Sequence, residues 1–198
     1  FTDAPHGDVG PTDWLGIDGG YRALPDLIKD ASGEGLLLER DMFSPSGFTA
    51  DELEALGEAL PNRWALRSRM VVPDTGLSAS VGYGDSFKGG EAGFLLAIGY
   101  GNGWKRKLRE FTTYDVGGGG VLEMQNQYSF DELNQNITLS GMFASGLRFL
   151  DDHEIALTSL LARVTDYNTR IYRGFNGDLG GNVEIQRLRW VERMLSSN

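Results

Sequence analysis

Apolar residues alternate with small or polar residues through much of the chain beyond residue 76. At positions 77–83 the odd residues are apolar and the even residues are serine or glycine, and positions 94–100 alternate similarly after a turn at 85–91. A period of two is typical of a β-strand with two unlike faces. We therefore predict a β-hairpin over this region.

Further strands are predicted toward the end of the chain. The segment 137–149 alternates in the same way, a long strand runs from His153 to about Arg173, and another covers 183–195. The alternation of the long strand loses phase at Leu160–Leu161, where we expect a β-bulge. About five or six antiparallel strands are expected. Each is longer than an ordinary strand, which has about five or six residues.

The predicted connections alternate in length along the chain. They are short at 85–91 and 150–152, and long at 101–136 and 174–182. We interpret 101–136, which holds the Gly117–Gly120 run, as the upper part of a long strand pair with a loop. Outer-membrane β-barrels show this asymmetry, with short periplasmic turns and long extracellular loops.

An apolar row on one strand can be interpreted in two ways. In a membrane barrel this row faces hydrocarbon, while Trp104 and Phe149 near the strand ends take the place of interfacial aromatics. In a soluble β-sandwich or barrel the same row enters a core. Both interpretations fit the row of Phe94, Leu96, Ile98 and Tyr100.

Before Pro61 the sequence predicts loops with short helices. Thr49 and Glu52 form a capping box at the start of a helix over 50–60, which Pro61 ends. A weaker helical turn is expected from Pro25 to about Ala31, closed by Gly33. We therefore predict a loop region with short helices over residues 1–62 and a strand region over 63–198.

Composition removes several classes of function. The 198-residue chain has 28 glycines, no cysteine and a formal charge of −10. A disulfide framework and a thiolate zinc site are excluded, and the acidic balance argues against nucleic acid as the main partner. No apolar run is long enough for a membrane helix. The glycine content is about double the usual level, which suits strands with small residues on one face and tight turns.

Catalytic chemistry finds little support in the sequence. His153-Glu154 lacks a second histidine for a metal site, Gly99, Gly101 and Gly103 have the wrong spacing for a dinucleotide loop, and the Gly117–Gly120 run lacks a following lysine. We therefore expect no enzyme activity, no metal and no cofactor.

Two polar clusters are candidates for recognition. Four residues of the first loop form the densest polar and aromatic group, and they serve either ligand recognition or a structural lock in which Asp18 pairs with Arg22: Trp14, Asp18, Tyr21 and Arg22. A second group follows the apolar row and forms either a solvated strand end or a contact with lipopolysaccharide phosphates: Trp104, Lys105, Arg106, Lys107 and Arg109.

Several motifs, in order along the chain, resemble one known family. Residues 13–25 fit the pattern D-x-L-G-x-D-x-G-x-R-x-L-P, residues 60–64 fit F/L-x-N-x-W, and residues 192–195 fit E-R-x-L. A proline-led strand from Pro73 with a Gly-Asp turn lies between them. This arrangement resembles the barrel region of TonB-dependent outer-membrane receptors, although each motif alone is weakly specific.

The resemblance implies a fold and a function. The fold would be all-β, an antiparallel segment of a transmembrane β-barrel with short loop helices, placed in the cell outer membrane. Such receptors import a scarce nutrient, and their partners are outer-membrane lipid, lipopolysaccharide, a plug, the TonB complex that acts through the plug and, in some cases, a surface lipoprotein. The ligand is left open among siderophores, oligosaccharides, peptides and cobalamin.

Five or six strands are too few for the 22-stranded barrel that the resemblance implies, and no plug is recognisable. Bare strand edges cannot lie in lipid. We therefore expect the strands to belong to a larger barrel or to be completed by other chains. Two alternatives to a transporter stay open: a soluble or surface-exposed β-rich binding module, and a structural subunit of a larger outer-membrane complex.

Overall fold

The computed structural model describes residues 3–33, 40, 47–61, 65–150 and 153–197. Five long strands form one antiparallel sheet in chain order, which confirms the predicted β-rich fold: β3 (Thr75–Phe87), β4 (Gly90–Val116), β5 (Leu122–Phe149), β6 (His153–Asn176) and β7 (Gly181–Ser197). The sheet is open, with β3 and β7 at its edges, so the described residues do not close a barrel.

A small sheet and two helices precede the long strands. Strand β1 (Asp3–His6) pairs antiparallel with β2 (Arg67–Met70), which joins the two predicted regions across residue 62. Helix α1 (Asp26–Ser32) and helix α2 (Ala50–Glu58) lie where the sequence predicts helices. The Thr49 capping box is present, which confirms that motif. Among the described residues, the helices are too short or too polar to span a membrane.

The connections differ less in length than predicted. The strands continue through most of 101–136, so the tip between β4 and β5 is only residues 117–121, and the tip between β6 and β7 is residues 177–180. At the other end, the turn between β3 and β4 is residues 88–89, and Leu150 follows β5. The long connections predicted at 101–136 and 174–182 are therefore wrong, because most of these residues occupy paired strands. The interpretation of 101–136 as the upper part of a long strand pair with a loop is confirmed, since β4 and β5 pair up to the tip at 117–121. Asp151 and Asp152 lie outside the described residues.

Two further predictions about the strands are corrected. Strands β5 and β6 pair residue by residue through Leu160 and Leu161, so the bulge predicted there is wrong. The observed register shift lies between Thr113 and Tyr114 of β4. Phe149 ends β5 as expected, but Trp104 lies in the middle of β4 rather than near its end.

The register divides the sheet into two faces and two halves. We call one surface the Tyr167 face, which carries Tyr100 and Tyr167, and the other the Arg170 face, which carries Lys107 and Arg170. The lower half holds the turn at 88–89 and Leu150, and extends to Tyr100 on β4. The upper half holds the tips at 117–121 and 177–180.

The core lies between the N-terminal segment and the upper half of the Tyr167 face. Its most buried sheet residues are Leu133, Ile137, Thr165 and Thr169. The Thr169 hydroxyl donates to the Pro5 carbonyl at 2.6 Å, and the Thr165 hydroxyl donates to the Gly16 carbonyl at 2.6 Å. Gly16 has a φ of 70°, and a β-carbon there would lie 2.8 Å from the Thr165 hydroxyl. Glycine is therefore required for this seating.

Candidate functional site

The first loop is held together by Arg22. Its guanidinium donates to both carboxylate oxygens of Asp13, one of them at 2.8 Å, and it lies 3.4 Å from an oxygen of Asp18. Asp13 is buried, with 7% of its side chain exposed. The lock expected between Asp18 and Arg22 is therefore present, but Asp13 is the stronger partner.

The same guanidinium joins the loop to the sheet. It stacks 4.0 Å from the ring centroid of Trp190 on β7 and lies 5.4 Å from that of Tyr167 on β6. Burial would lower the pKa of Arg22, but the hydrogen bonds and charge of Asp13 raise it. Arg22 thus stays charged and fixes the loop on the Tyr167 face, which explains why polar and aromatic residues gather there.

The other predicted loop residues surround this contact. The Asp18 amide donates to Glu192 at 2.8 Å, and the Tyr21 hydroxyl donates to Asp8 at 2.6 Å. Trp14 is 60% exposed, and its carbonyl accepts a hydrogen bond from Tyr100. Asp18, Tyr21 and Arg22 therefore form one cluster, whereas Trp14 contacts a different part of the sheet.

A cavity of about 260 Å³ lies beside this cluster, between the first loop, the end of α2 and β7. Its walls are mainly aromatic and aliphatic, and Arg22 already contacts Asp13. The contacts of Arg22 with Asp13 and Asp18 support the structural lock, and ligand recognition by this loop stays a prediction. Residues lining this cavity include Tyr21, Leu24, Pro25, Leu60, Pro61 and Trp190.

Two titratable groups beneath the N-terminal segment have shifted pKa values. Burial lowers the pKa of His6, whose Nδ1 donates to the Gly7 carbonyl at 2.7 Å. Burial raises the pKa of Tyr167 to about 12. The two rings meet edge to face at 4.9 Å, so both shifts report the same dry contact between β1 and β6.

The basic cluster of the sequence is split between the two faces. Trp104 and Arg106 lie on the Tyr167 face, where Trp104 packs 5.5 Å from His6 and Arg106 forms an ion pair with Asp131 at 2.7 Å. The opposite face carries Lys105, Lys107 and Arg109. The five residues therefore do not form a single surface.

On the Arg170 face, the lysines align with arginines from distant parts of the chain. Across β4, β5, β6 and β7, one row contains Lys107, Glu132, Arg170 and Arg187. The next row down contains Lys105, Asn134, Asn168 and Arg189. The sheet register thus assembles a basic surface that no single sequence segment contains.

We call five successive rows of this face the basic surface. The rows run from Gly101 to Arg109 on β4 and hold seven basic residues against two acidic ones. The whole chain, by contrast, has a formal charge of −10. The basic residues are Lys105, Lys107, Arg109, Arg170, Arg187, Arg189 and Arg193, and the acidic ones are Glu132 and Asp166.

The two acidic residues of the basic surface are fully engaged. Glu132 is 7% exposed and contacts Arg170 at 2.9 Å and Lys107 at 4.0 Å. Asp166 accepts from Arg193 and from Asn136, each at 2.8 Å. In the part of the chain that the structure describes, Lys105, Arg187 and Arg189 have no carboxylate partner within salt-bridge distance.

A broad concavity of about 880 Å³ lies over the β6–β7 side of this surface. It is lined by polar and charged residues together with the apolar Leu188 and Val191. The polar and charged residues include Asn134, Asp166, Asn168, Arg170, Arg187 and Arg189. Sequence reasoning found Lys105, Lys107 and Arg109 but missed the arginines. The alternation of arginine at 187, 189 and 193 with residues of the opposite face was the available signal.

The described residues contain no group of three or more histidine or acidic side chains that could hold a metal ion. No protein family, curated protein or solved structure matches this chain.

Proposed function

We propose that this chain forms part of the wall of a TonB-dependent outer-membrane receptor that imports a scarce nutrient. The plug, the TonB complex acting through it, lipopolysaccharide and a possible surface lipoprotein are then its partners. The motifs at 13–25 and 192–195 support membership of this receptor family, and the long antiparallel strands support a place in the barrel wall. In the motif at 60–64, residues 62–64 lie outside the described residues.

One observation carries the proposal: an exposed apolar band on the lower half of the Tyr167 face. Ile98 is 59% exposed and Val81 is 56% exposed, although a soluble sheet would bury them. The register places four rows of such residues side by side, and the one charged residue among their described positions is Asp85 on the edge strand β3. Its large members are Val81, Tyr83, Phe94, Leu96, Ile98, Phe143, Leu147, Ile155, Leu157 and Leu161.

The opposite face of these rows is lined mainly by small residues. Glycine, serine and alanine predominate, as at Ser80, Gly82, Ala97 and Ala144. Large residues toward lipid and small or polar ones toward the lumen are the pattern of a membrane barrel wall. Strand β4 has 27 residues, and about 9 to 11 tilted residues cross the hydrocarbon. The upper half would therefore extend beyond the membrane.

The open edges favour completion by further strands. Within the described residues β3 and β7 each pair on one side only, and unpaired edges are unfavourable in hydrocarbon. Strands of the same chain outside this sequence would make a transporter. Strands of other chains would make a structural subunit, which is the second candidate function.

Single cysteines test the membrane wall, because these 198 residues contain no cysteine; any cysteine elsewhere in the full-length protein is first replaced by serine. We would place Cys at Ile98 on the band and at Gly118 in the tip, in the full-length protein in intact cells. A membrane-impermeant maleimide should label Gly118→Cys and leave Ile98→Cys unlabelled until detergent is added. Equal labelling at both positions, with a purified protein that is monodisperse without detergent, would overturn the proposal.

Co-purification then separates the two candidates. A plug in the same polypeptide, with loss of uptake in cells lacking TonB, supports the transporter. Fixed partner chains that complete the sheet, with no TonB-dependent uptake, support the structural subunit instead.

A further inference from the structure

The basic surface combines charge, shape and free donors. Four of its cations, Lys105, Arg109, Arg187 and Arg189, have no carboxylate partner among the described residues, and two of them, Arg187 and Arg189, line the 880 Å³ concavity. We propose that the basic surface binds a soluble polyvalent anion, a solute that carries two or more carboxylate or phosphate groups. Its role as the imported nutrient rests on the proposed function.

The arrangement of like charges supports a ligand. Arg170 and Arg187 lie directly opposite each other on β6 and β7. Like charges directly opposite on neighbouring strands are destabilising, so a sheet gains nothing by itself from this pair. Glu132 contacts Arg170 at 2.9 Å, but no described carboxylate reaches Arg187. A bound anion between the two guanidinium groups would remove the repulsion.

The arginines are held in place before a ligand arrives. The Arg170 guanidinium donates to the Tyr172 hydroxyl at 2.7 Å and lies 5.5 Å from the ring centroid of Phe130. Arg187 lies 5.5 Å from the ring centroid of Tyr172. Both terminal nitrogens of Arg170 already have partners, Tyr172 and Glu132. For Arg187, aromatic stacking leaves the edge of the guanidinium open for two parallel hydrogen bonds to a carboxylate or phosphate.

The size of the surface favours more than one anionic group. Four neighbouring strands span about 14 Å, and alternate residues along one strand lie about 7 Å apart. Lys105 and Arg189 occupy the two ends of one row, with the amides of Asn134 and Asn168 between them. A solute with several anionic groups can contact two rows together, whereas a single chloride cannot.

The position of the surface favours a soluble ligand over a lipid headgroup. The apolar band lies on the Tyr167 face, and the basic surface lies on the opposite side of the same sheet. A lipid whose acyl chains contact the band cannot bring its phosphates through the sheet. In addition, a local positive field on a chain of charge −10 concentrates anions at this place.

Titration calorimetry on the detergent-purified full-length protein tests the proposal, with citrate and pyrophosphate as probes and sucrose as a neutral comparison. Citrate, pyrophosphate or both should bind, more weakly as salt rises. Arg187→Gln with Arg189→Gln should reduce that affinity at least about tenfold. The matched control, Lys29→Gln with Lys88→Gln, removes two exposed charges elsewhere and should change affinity less than about twofold.

Three outcomes would overturn the proposal: neither probe binds, the arginine variant binds as tightly as the wild type, or lipopolysaccharide alone binds in an arginine-dependent way. Circular dichroism must show that the variant retains its strands. If the protein binds the anions but its apolar band is not in a membrane, the anion site is supported and the receptor function is rejected. A labelled membrane wall without anion binding would keep the receptor and reject this ligand class.

Discussion

The lower and upper halves of the sheet consist of the same strands, but they differ in whether the Tyr167 face is covered and in what the Arg170 face carries. In the lower half the Tyr167 face carries exposed large apolar residues and the Arg170 face carries mainly small ones. In the upper half the N-terminal segment covers the Tyr167 face, and the Arg170 face carries charge.

Under the proposed function, the difference corresponds to a change of surroundings along one strand. The upper half needs a protein cover over Leu133 and Ile137, as expected in water. The lower half leaves Leu96 and Ile98 uncovered, which is stable where hydrocarbon provides the cover. The boundary between them lies close to Tyr100, whose hydroxyl donates to the carbonyl of Trp14 in the covering segment.

The largest expected effect comes from placing a charge on the band. In lipid, Leu96→Lys should lower the free energy of unfolding by about 2–4 kcal/mol, because a lysine on an inner row of the band, near the bilayer midplane, loses its hydration. Its neighbour Ala97 points to the other face, so Ala97→Lys should cost less than about 1 kcal/mol. Denaturant unfolding in phospholipid vesicles, followed by tryptophan fluorescence, measures both; equal losses would contradict the two-faced band.

The next effect concerns the cover of the upper half. Arg22→Ala removes the bonds to buried Asp13 and the stacking on Trp190. We expect a loss of about 2–3 kcal/mol, less than a fully buried pair would lose because 24% of the Arg22 side chain is exposed. Limited proteolysis of residues 3–25 and urea unfolding both report it.

Lys29→Ala is the matched control for this prediction. It breaks an ion pair with Asp26 on exposed helix α1, with the two charged groups 3.0 Å apart. Such pairs contribute about 0–1 kcal/mol, so the control should remain close to the wild type. If Arg22→Ala behaves in the same way, the first loop does not hold the cover.

These local contrasts also show what the sequence could predict. Alternation at 77–83 and 94–100 predicted strands correctly, because each face there has a single character. The same rule failed at 101–116, since Lys105 and Arg106 are both polar although they lie on opposite faces. Strand pairing continued there because the register set by the preceding residues was maintained.

The candidate site was predicted only where its contacts are local. Asp18 and Arg22 lie four residues apart, and their pairing could be predicted from that spacing. Glu132 and Arg187 join the same row only through two strand pairings, which set their neighbours. The basic surface could not be predicted from one segment, because the register between strands β4 to β7 brings its residues together.

The third prediction uses pH to separate the covered face from the open one. His6 is buried beside Tyr167 and Trp104, and burial lowers its pKa below the ordinary value of 6.5. Between that value and the lower folded pKa, the unfolded chain binds more protons at His6, so stability falls as pH falls. Urea unfolding at pH 7.5 and 5.5 should show a larger loss in the wild type than in His6→Gln.

The control for His6 is the exposed His153, which lies at the start of β6 in the lower half. His153→Gln should retain the pH dependence of the wild type, because this dependence arises from the burial of His6. If His6→Gln and the wild type lose the same stability between the two pH values, the contact between β1 and β6 is not dry.

The smallest expected effect tests whether the basic surface carries unrelieved repulsion. Arg187 faces Arg170, whereas Arg189 faces Asn168 two residues away on the same strand. Because salt screens repulsion, sodium chloride should stabilise the wild type more than Arg187→Gln, by about 0.2–1 kcal/mol, while Arg189→Gln should follow the wild type. Denaturant unfolding at low and high salt measures the difference. Identical salt responses in all three proteins would mean that the repulsion is already neutralised within the sheet, and the physical reason for a bound anion between these arginines would be lost.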